Sequence, residues 1–212
     1  MNLQKTIILA SQSRDRKRLL TNANIPHTVI ISKYDENPQP GLSPRELALF
    51  HARGKVSSVY KMVNIEQSLI PLGQYIIIAA DTVVDFKGDI LGKAKNKGHA
   101  IQTLQKLMGK THILTTGVVI YDSESDTSVE HVDVTEVRFS SLTEEEITDY
   151  VTFSDEYKWR AGSYSMFDRA SVFIESITGS PSNVIGLPMD FVYKELKKLG
   201  VNLLKVEIKN KV

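Results

Sequence analysis

The sequence predicts an α/β fold with a mixed sheet, and two observations lead to that prediction. In the first half of the chain, short β-branched runs such as residues 6–10 alternate with segments of helical periodicity. In the middle, paired runs appear that resemble hairpins, one of them joined by the turn sequence KGD at 87–89. Alternation favours parallel strands joined by helices, whereas hairpins are antiparallel, so we expect both kinds of pairing.

Composition and charge limit the function classes. With 212 residues, 42% of them hydrophobic and 24% charged, we expect one folding unit spanning 1–212. A formal charge of +1 gives no global reason to bind nucleic acid or an anionic membrane. The absence of cysteine excludes disulfides, thiolate zinc sites and cysteine nucleophiles. The apolar run at 6–10 is too short for a signal peptide or a membrane span, so we expect a cytoplasmic protein.

Periodicity and turn residues locate the elements. The predicted strands cover residues 6–10, 25–31, 75–80 continued by 83–84, 90–91, 112–121, 132–139 and 171–177. The predicted helices cover residues 14–21, 44–62, 100–108, a segment after Thr143, and 188–199. Capping signals precede three of them, at Ser13, at Ser43 with Glu46, and at Thr143 with Glu146. A slip of register between Val134 and Val137 predicts a bulge.

Asp81 is the first candidate for chemistry, because it stands inside the apolar run AADTVV at 79–84. A carboxylate buried there would cost several kcal/mol unless another group compensated it. Two interpretations stay open on the residues alone. The strand ends at Ala80 and Asp81 opens a turn, or Asp81 binds a divalent cation or accepts a proton from water.

A basic cluster at the start of the first helix is the second candidate. Arg14, Arg16, Lys17 and Arg18 lie where cations oppose the positive end of the helix dipole. A bound anion would reverse that penalty, so these arginines with Ser13 could cradle a phosphate. The alternative is a solvated basic face with Ser13 as an ordinary cap, which Asp15 in the same turn favours.

Other motifs are weak or absent. Glu36 in a loop, Lys55 in a helix and Lys93 after a hairpin are each ordinary when taken singly. Neither a GxGxxG after the first strand nor a GxxxxGK[ST] sequence is present, so neither a Rossmann site nor a P-loop is supported. The five histidines show no metal-ligand spacing, and no GxSxG supports a serine hydrolase.

Taken in order, eight stretches of the chain resemble the Maf family of nucleoside triphosphate pyrophosphatases. The resemblance runs from about residue 7 to residue 199. Its stretches are LASQSRDRKRLL at 9–20, Asp35-Glu36, ARGK at 52–55, AADTVV at 79–84, LGK at 91–93, HILTTGVVI at 112–120, RAGSY at 160–164 and GSPSNVIGLP at 179–188.

The resemblance implies a long mixed sheet flanked by helices, with two lobes around a central cleft, and dimers. It also implies that the protein hydrolyses a nucleoside triphosphate to the monophosphate and pyrophosphate, with Mg²⁺ or Mn²⁺ as cofactor. The biological role implied by the resemblance is the cleansing of nucleotide pools. By matching position, Asp81 would accept the proton of the attacking water, and Glu36 would assist with metal and water. Glu36 and Asp81 would hold the metal. Three cationic side chains at positions that match the family, Lys55, Lys93 and Arg16, would bind phosphate oxygens. The hydroxyl of Ser13 would contribute to the same site.

Three positions concern the substrate. Asp15 replaces the first of two arginines in the family's first loop. This replacement would remove one contact to the phosphate or to the base. Thr82 matches the subfamily of dTTP/UTP pyrophosphatases, yet Phe167 stands where that subfamily has glutamine. The preferred nucleotide, dTTP, UTP or a modified one, therefore stays open. A nucleotide-sensing or division-regulating binding protein is the alternative function, and the near-zero net charge disfavours a third, RNA binding.

Overall fold

The computed structural model describes residues 5–65, 70, 73–201 and 203. The strands are β1 (Thr6–Leu9), β2 (Thr28–Val29), β3 (Tyr75–Phe86), β4 (Asp89–Leu91), β5 (Thr111–Asp122), β6 (Thr127–Phe139) and β7 (Ile174–Thr178). The helices are α1 (Arg14–Asn22), α2 (Pro44–Ile65), α3 (Lys97–Leu107), α4 (Glu144–Phe153), α5 (Pro181–Ile185) and α6 (Met189–Lys198), with a 3₁₀ helix at Arg169–Phe173. No helix within these ranges is both long and apolar enough to cross a membrane.

The described strands form one seven-stranded mixed sheet, which confirms the predicted α/β class. The order is β2-β1-β3-β5-β6-β7, with β4 paired to β3. Strands β2, β1 and β3 are parallel, whereas β4, β5, β6 and β7 join by antiparallel pairing. The predicted division into two lobes around a cleft stays a prediction.

Strand β3 is the centre of the core, because its residues alternate between two packed faces. On one face Ile77 and Ala79 pack against the apolar residues of α2. On the other, Ile76 and Ile78 join a cluster that includes buried residues of α1 and α6. Further along this second face Val84 belongs to a separate cluster, formed with residues of α3, α4 and β6. Helices therefore cover both faces of the sheet.

One edge of β3 has a gap. Strand β1 pairs with Tyr75–Ile78, and β4 pairs with Val84–Phe86. The opposite edge is paired with β5 from Ile76 to Asp85. Within the described ranges, no strand pairs with residues 79–83 on the first edge. This edge of the AADTVV motif is therefore available to groups other than a strand.

The main differences from the predicted elements have local causes. Strand β3 does not end at Ala80 but continues through Asp81 to Phe86, so the interpretation of Asp81 as the start of a turn is wrong. The second strand is reduced from 25–31 to Thr28–Val29, and the N–H of Ile25 instead donates to the Leu20 carbonyl at the end of α1 over 2.9 Å. The last predicted strand begins only at Ile174, after the 3₁₀ helix.

The predicted bulge between Val134 and Val137 is also wrong. Strand β6 pairs with β5 without interruption, and the irregularity lies between Arg138 and Phe139 on the β7 side. The buried positions there are the odd-numbered ones, such as Val137, while Val134 faces the other way. The apparent slip therefore marks a change in which face of the strand is apolar.

The capping predictions are confirmed. Ser43 N–H donates to the Glu46 carboxylate over 2.9 Å, and Glu46 N–H donates back to Ser43 Oγ over 3.3 Å. Thr143 and Glu146 form the same reciprocal pair at the start of α4. These bonds satisfy orphan N–H groups of the first turns, which is why so short a sequence signal locates a helix start.

His112 on β5 is a buried histidine of the core. Its side chain is almost fully enclosed, its Nε2 lies 2.9 Å from the Tyr164 hydroxyl, and its ring packs edge-on against Phe139. Burial lowers the pKa of His112 to about 4. The ring is therefore neutral at pH 7 and has a structural role.

We predict that this histidine makes the protein less stable as the pH falls from 6.5 towards 4. In that window the unfolded chain binds a proton at position 112 and the folded chain does not, so the free energy of unfolding drops by up to about 3 kcal/mol. Denaturant unfolding at several pH values measures the slope. The double variant His112→Phe/Tyr164→Phe removes both polar partners and should lack this contribution. An equal slope in both proteins contradicts it.

Candidate active site

Asp81 lies in the middle of the gap at 79–83 and is only 9% exposed. Its neighbour across the sheet is Gly117 of β5. A Cβ added at Gly117 would lie 2.5 Å from the carbonyl carbon of Ala48 and from the nitrogen of Leu49. Helix α2 therefore rests directly on the sheet beside Asp81, which brings α2 side chains within reach of the carboxylate.

Lys55 of α2 makes that contact. Its ammonium donates to Asp81 Oδ1 over 2.6 Å and to the Ala80 carbonyl, on the open edge of β3, over 3.3 Å. It also lies 2.8 Å from Glu36 Oε1, and the second Glu36 oxygen is 3.3 Å from Lys93 Nζ. Four residues predicted as catalytic are thus brought together from β3, α2 and two loops.

The charges in this cluster alternate, and this sets the protonation of Glu36. Burial raises the pKa of Glu36, but the charges and hydrogen bonds of Lys55 and Lys93 outweigh burial and lower it to about 2. Glu36 is therefore a carboxylate at neutral pH. Asp81 uses only Oδ1 for Lys55, and Oδ2 accepts no hydrogen bond from any described residue. That oxygen is free to accept a proton from water.

The two carboxylates also fit a divalent cation that arrives with a phosphate chain. Among the described residues, no group of three or more His, Cys, Asp or Glu side chains could hold a metal by itself. Mg²⁺, however, is usually bound through one or two carboxylates and the phosphates of its substrate. Glu36 and Asp81 both contact the same ammonium of Lys55, so they already face one cationic position.

Arg16 approaches the same segment from the other face of the sheet, through Thr82. Its Nε donates to the Gly186 carbonyl over 2.6 Å, and one terminal nitrogen donates to Thr82 Oγ1 over 2.9 Å. The other terminal nitrogen is 3.4 Å from Ser11 Oγ. All three acceptors are neutral, and no carboxylate of the described part of the chain lies within 4.0 Å of this guanidinium.

A buried guanidinium without a carboxylate is unusual. Arg16 is 8% exposed, and burial lowers its pKa, with the more distant charges of Asp81 and Glu36 acting in the opposite direction. Desolvating an ion costs several kcal/mol unless a partner of opposite charge compensates it. The arrangement is therefore suited to a bound anion.

Gly186 ends α5 and holds the carbonyl that Arg16 contacts. Its φ is 104°, in the left-handed region that favours glycine, and an added Cβ would lie 3.0 Å from Thr82 Oγ1. The sequence prediction omitted α5, although its signal was present. Ser180 caps the helix, Pro181 occupies the first turn and glycine follows the end.

Ser13 and Asp15 have defined partners on α1. Ser13 is the N-cap, as predicted, and accepts from Arg16 N–H over 3.3 Å. Its role in a phosphate cradle stays a prediction. Asp15 forms a two-fold ion pair with Arg160, at 2.6 and 2.9 Å. Its negative charge is thus neutralised by an arginine from a distant segment.

Phe167 packs against Arg18, away from the cluster around Lys55. Its role in recognising the base stays a prediction. The Arg18 guanidinium lies 4.4 Å from the centre of the Phe167 ring. Arg18 also pairs with Asp168 over 3.3 Å, and Asp168 lies 3.4 Å from Arg160. A partly buried network therefore runs from Asp15 to Phe167.

The residues that sequence reasoning missed act through close approach or pairing. Gly117 had a signal, because a lone glycine inside a strand indicates a close backbone neighbour. Thr116, whose Oγ1 lies 3.0 Å from Thr82 Oγ1, is the cross-strand partner of Thr82 and could be found only from the register. Arg160 lay within a recognised motif, but nothing local indicates its partner.

Comparison with known proteins gives the family. The family model described as "Maf-like protein" matches residues 6–199. A dTTP/UTP pyrophosphatase of Bacillus cereus (strain G9842) is 38% identical over 199 residues, covering 94% of this chain and 98% of the relative. Proteins of the same name from Bacillus thuringiensis subsp. konkukian and Bacillus anthracis match with the same identity and coverage. The chain therefore belongs to the Maf family.

Proposed function

We propose that this protein is a nucleoside triphosphate pyrophosphatase, which hydrolyses a nucleotide to the monophosphate and pyrophosphate. The observation that carries the proposal is the pairing of a buried carboxylate with cations on both faces of one strand. Asp81 has one free oxygen, Lys55 and Lys93 stand on its side, and Arg16 reaches Thr82 from the other. The names of the relatives support the same reaction.

In the proposed reaction Asp81 accepts a proton from a water molecule, and the oxygen of that water attacks the α-phosphorus. The bond between the α-phosphorus and the α–β bridging oxygen breaks, and pyrophosphate leaves with that oxygen. Lys55, Lys93 and Arg16 bind phosphate oxygens and stabilise the charge that develops there. Lys55 is bound to Asp81, so a phosphate oxygen that attracts the Lys55 ammonium also frees the Asp81 carboxylate to act as the general base.

Ser13 would add its hydroxyl to the same cradle. A divalent cation held by Glu36 and Asp81 would supply Lewis-acid polarisation of the phosphate oxygens. We propose Mg²⁺ or Mn²⁺ for this role, on the chemistry of the two carboxylates and the family resemblance. From the same resemblance and the cysteine-free sequence we propose a cytoplasmic homodimer that cleanses nucleotide pools.

The first candidates for the substrate are dTTP and UTP, on the names of the relatives and on Thr82. Phe167 places an aromatic ring where the dTTP/UTP pyrophosphatase subfamily has the amide of a glutamine. The selectivity for the base is therefore the property in which we expect this protein to differ most from that subfamily. The alternative of a binding protein without turnover is not favoured. The two altered positions, Asp15 and Phe167, suggested that alternative, and the charge of Asp15 is matched by Arg160.

We predict that Asp81→Asn lowers kcat for pyrophosphate release about a hundredfold or more, because the amide cannot accept the proton. KM should change little. A coupled pyrophosphate assay with a nucleotide panel and Mg²⁺ or Mn²⁺ measures both constants. Asp85→Asn is the matched control, since Asp85 is on the same strand and accepts the Gly88 N–H at the hairpin turn. Undiminished turnover in Asp81→Asn, or release of orthophosphate instead, contradicts the proposal.

We predict that pyrophosphate alone stabilises the protein through Arg16. A ligand present at a hundred times its Kd adds about 2.7 kcal/mol to the free energy of unfolding. The thermal midpoint should rise with pyrophosphate in the wild type and in Arg45→Met, which removes an exposed arginine at the start of α2. It should rise much less in Arg16→Met. Equal shifts in all three proteins would show that Arg16 does not bind the phosphates.

A further inference from the structure

We propose that Tyr34 and Gly54 are positioning residues for Glu36. The Tyr34 ring sits on α2 at Gly54 and holds the Glu36 loop against Lys55 and Lys93. This inference rests on the role proposed above for Glu36. It concerns two residues outside the group that binds phosphate or accepts the proton.

The loop that carries Glu36 has little backbone structure of its own. Residues 30–43 connect β2 to α2 without regular secondary structure. Near Glu36, Lys33 N–H donates to Ser58 Oγ over 2.9 Å, and Asn37 N–H donates to the Asp35 carbonyl over 2.9 Å. Since so few backbone bonds fix this segment, its position depends on side chains that dock onto α2.

Tyr34 is the side chain that docks. A Cβ added at Gly54 would lie 2.5 Å from Tyr34 Cζ and closer still to Cε2. No real side chain approaches so closely, so the ring occupies the space that any other residue at position 54 would fill. The Tyr34 hydroxyl lies 3.1 Å from Nδ1 of His51, one turn earlier on the same helix. The ring is thus held at its face and at its hydroxyl.

The docking point and the charge cluster share one turn of α2. Gly54 receives the loop, and the next residue, Lys55, extends to Glu36 over 2.8 Å. A methyl group at position 54 would push the ring away and carry Glu36, two residues later, with it.

The expected consequence is a loss of turnover more than of affinity. Glu36 shares the Lys55 ammonium with Asp81. If Glu36 moves away, Asp81 becomes the only carboxylate that contacts the Lys55 ammonium. The ammonium then binds Asp81 more tightly, and Asp81 accepts a proton from water less readily. Displacements of about 1 Å in such constellations cost up to about a hundredfold in rate.

Gly54→Ala tests this directly, with Gly98→Ala as the matched control. Both glycines are helical, and a methyl at Gly98 would meet only Asn96 Oδ1, at 3.4 Å. Alanine is the better helix former, so neither change should weaken its helix. Gly54→Ala should lower kcat for pyrophosphate release about tenfold to a hundredfold with KM within about threefold. Gly98→Ala should match the wild type.

The positioning role predicts three further results. Tyr34→Phe, which keeps the ring, should stay within about threefold of the wild-type kcat, whereas Tyr34→Ala should reproduce the loss. Adding Gly54→Ala to Glu36→Gln should cause no further loss, because the residue being positioned is already inactive. Hydrogen exchange of the peptide covering 31–42 should accelerate in Gly54→Ala and not in Gly98→Ala.

The failures of the two proposals are distinguishable. A wild type that releases no pyrophosphate overturns the proposed function, and hydrogen exchange still tests the anchor. An active wild type with an unchanged Gly54→Ala kcat overturns the positioning role. So does an equal loss from Gly54→Ala in the wild-type and Glu36→Gln backgrounds, or unchanged exchange of the loop in Gly54→Ala.

Discussion

The Lys55 ammonium between Asp81 and Glu36 is the interaction on which the rest of the site depends. A buried lysine and a buried aspartate are each costly, and they are tolerated at 2.6 Å because each neutralises the other. The contact requires α2 to lie directly on the sheet, which only a glycine at position 117 allows. The loop with Glu36 must then dock on the same helix, so sheet, helix and loop meet at one nitrogen.

Strand geometry explains how the AADTVV motif contacts cationic side chains on both faces of the sheet. Asp81 and Thr82 are consecutive residues of a continuous strand, so their side chains point to opposite faces. One meets Lys55, the other Arg16. Between β1 and β4, no described strand pairs with residues 79–83 on that edge of β3, so a phosphate chain lying there could contact cations from both faces.

Features with local signals could be predicted from the sequence, and features made by distant pairing could not. The caps at Ser13, Ser43 and Thr143 each follow from a few neighbouring residues, and the run AADTVV marks Asp81 as a candidate although it leaves a turn possible. The Asp15–Arg160 pair joins residues 145 positions apart, and no pattern along the chain indicates it. The family resemblance gathered Glu36, Lys55, Lys93 and Asp81 into one site, and the structure supplied the distances between them.

The most direct test of the central claim is the fate of the water oxygen. Hydrolysis of a nucleoside triphosphate in H₂¹⁸O, followed by mass spectrometry of both products, shows which phosphorus is attacked. If water activated by Asp81 attacks the α-phosphorus, the label appears in the nucleoside monophosphate and the pyrophosphate stays unlabelled. Label in the pyrophosphate, or in released orthophosphate, would contradict the account.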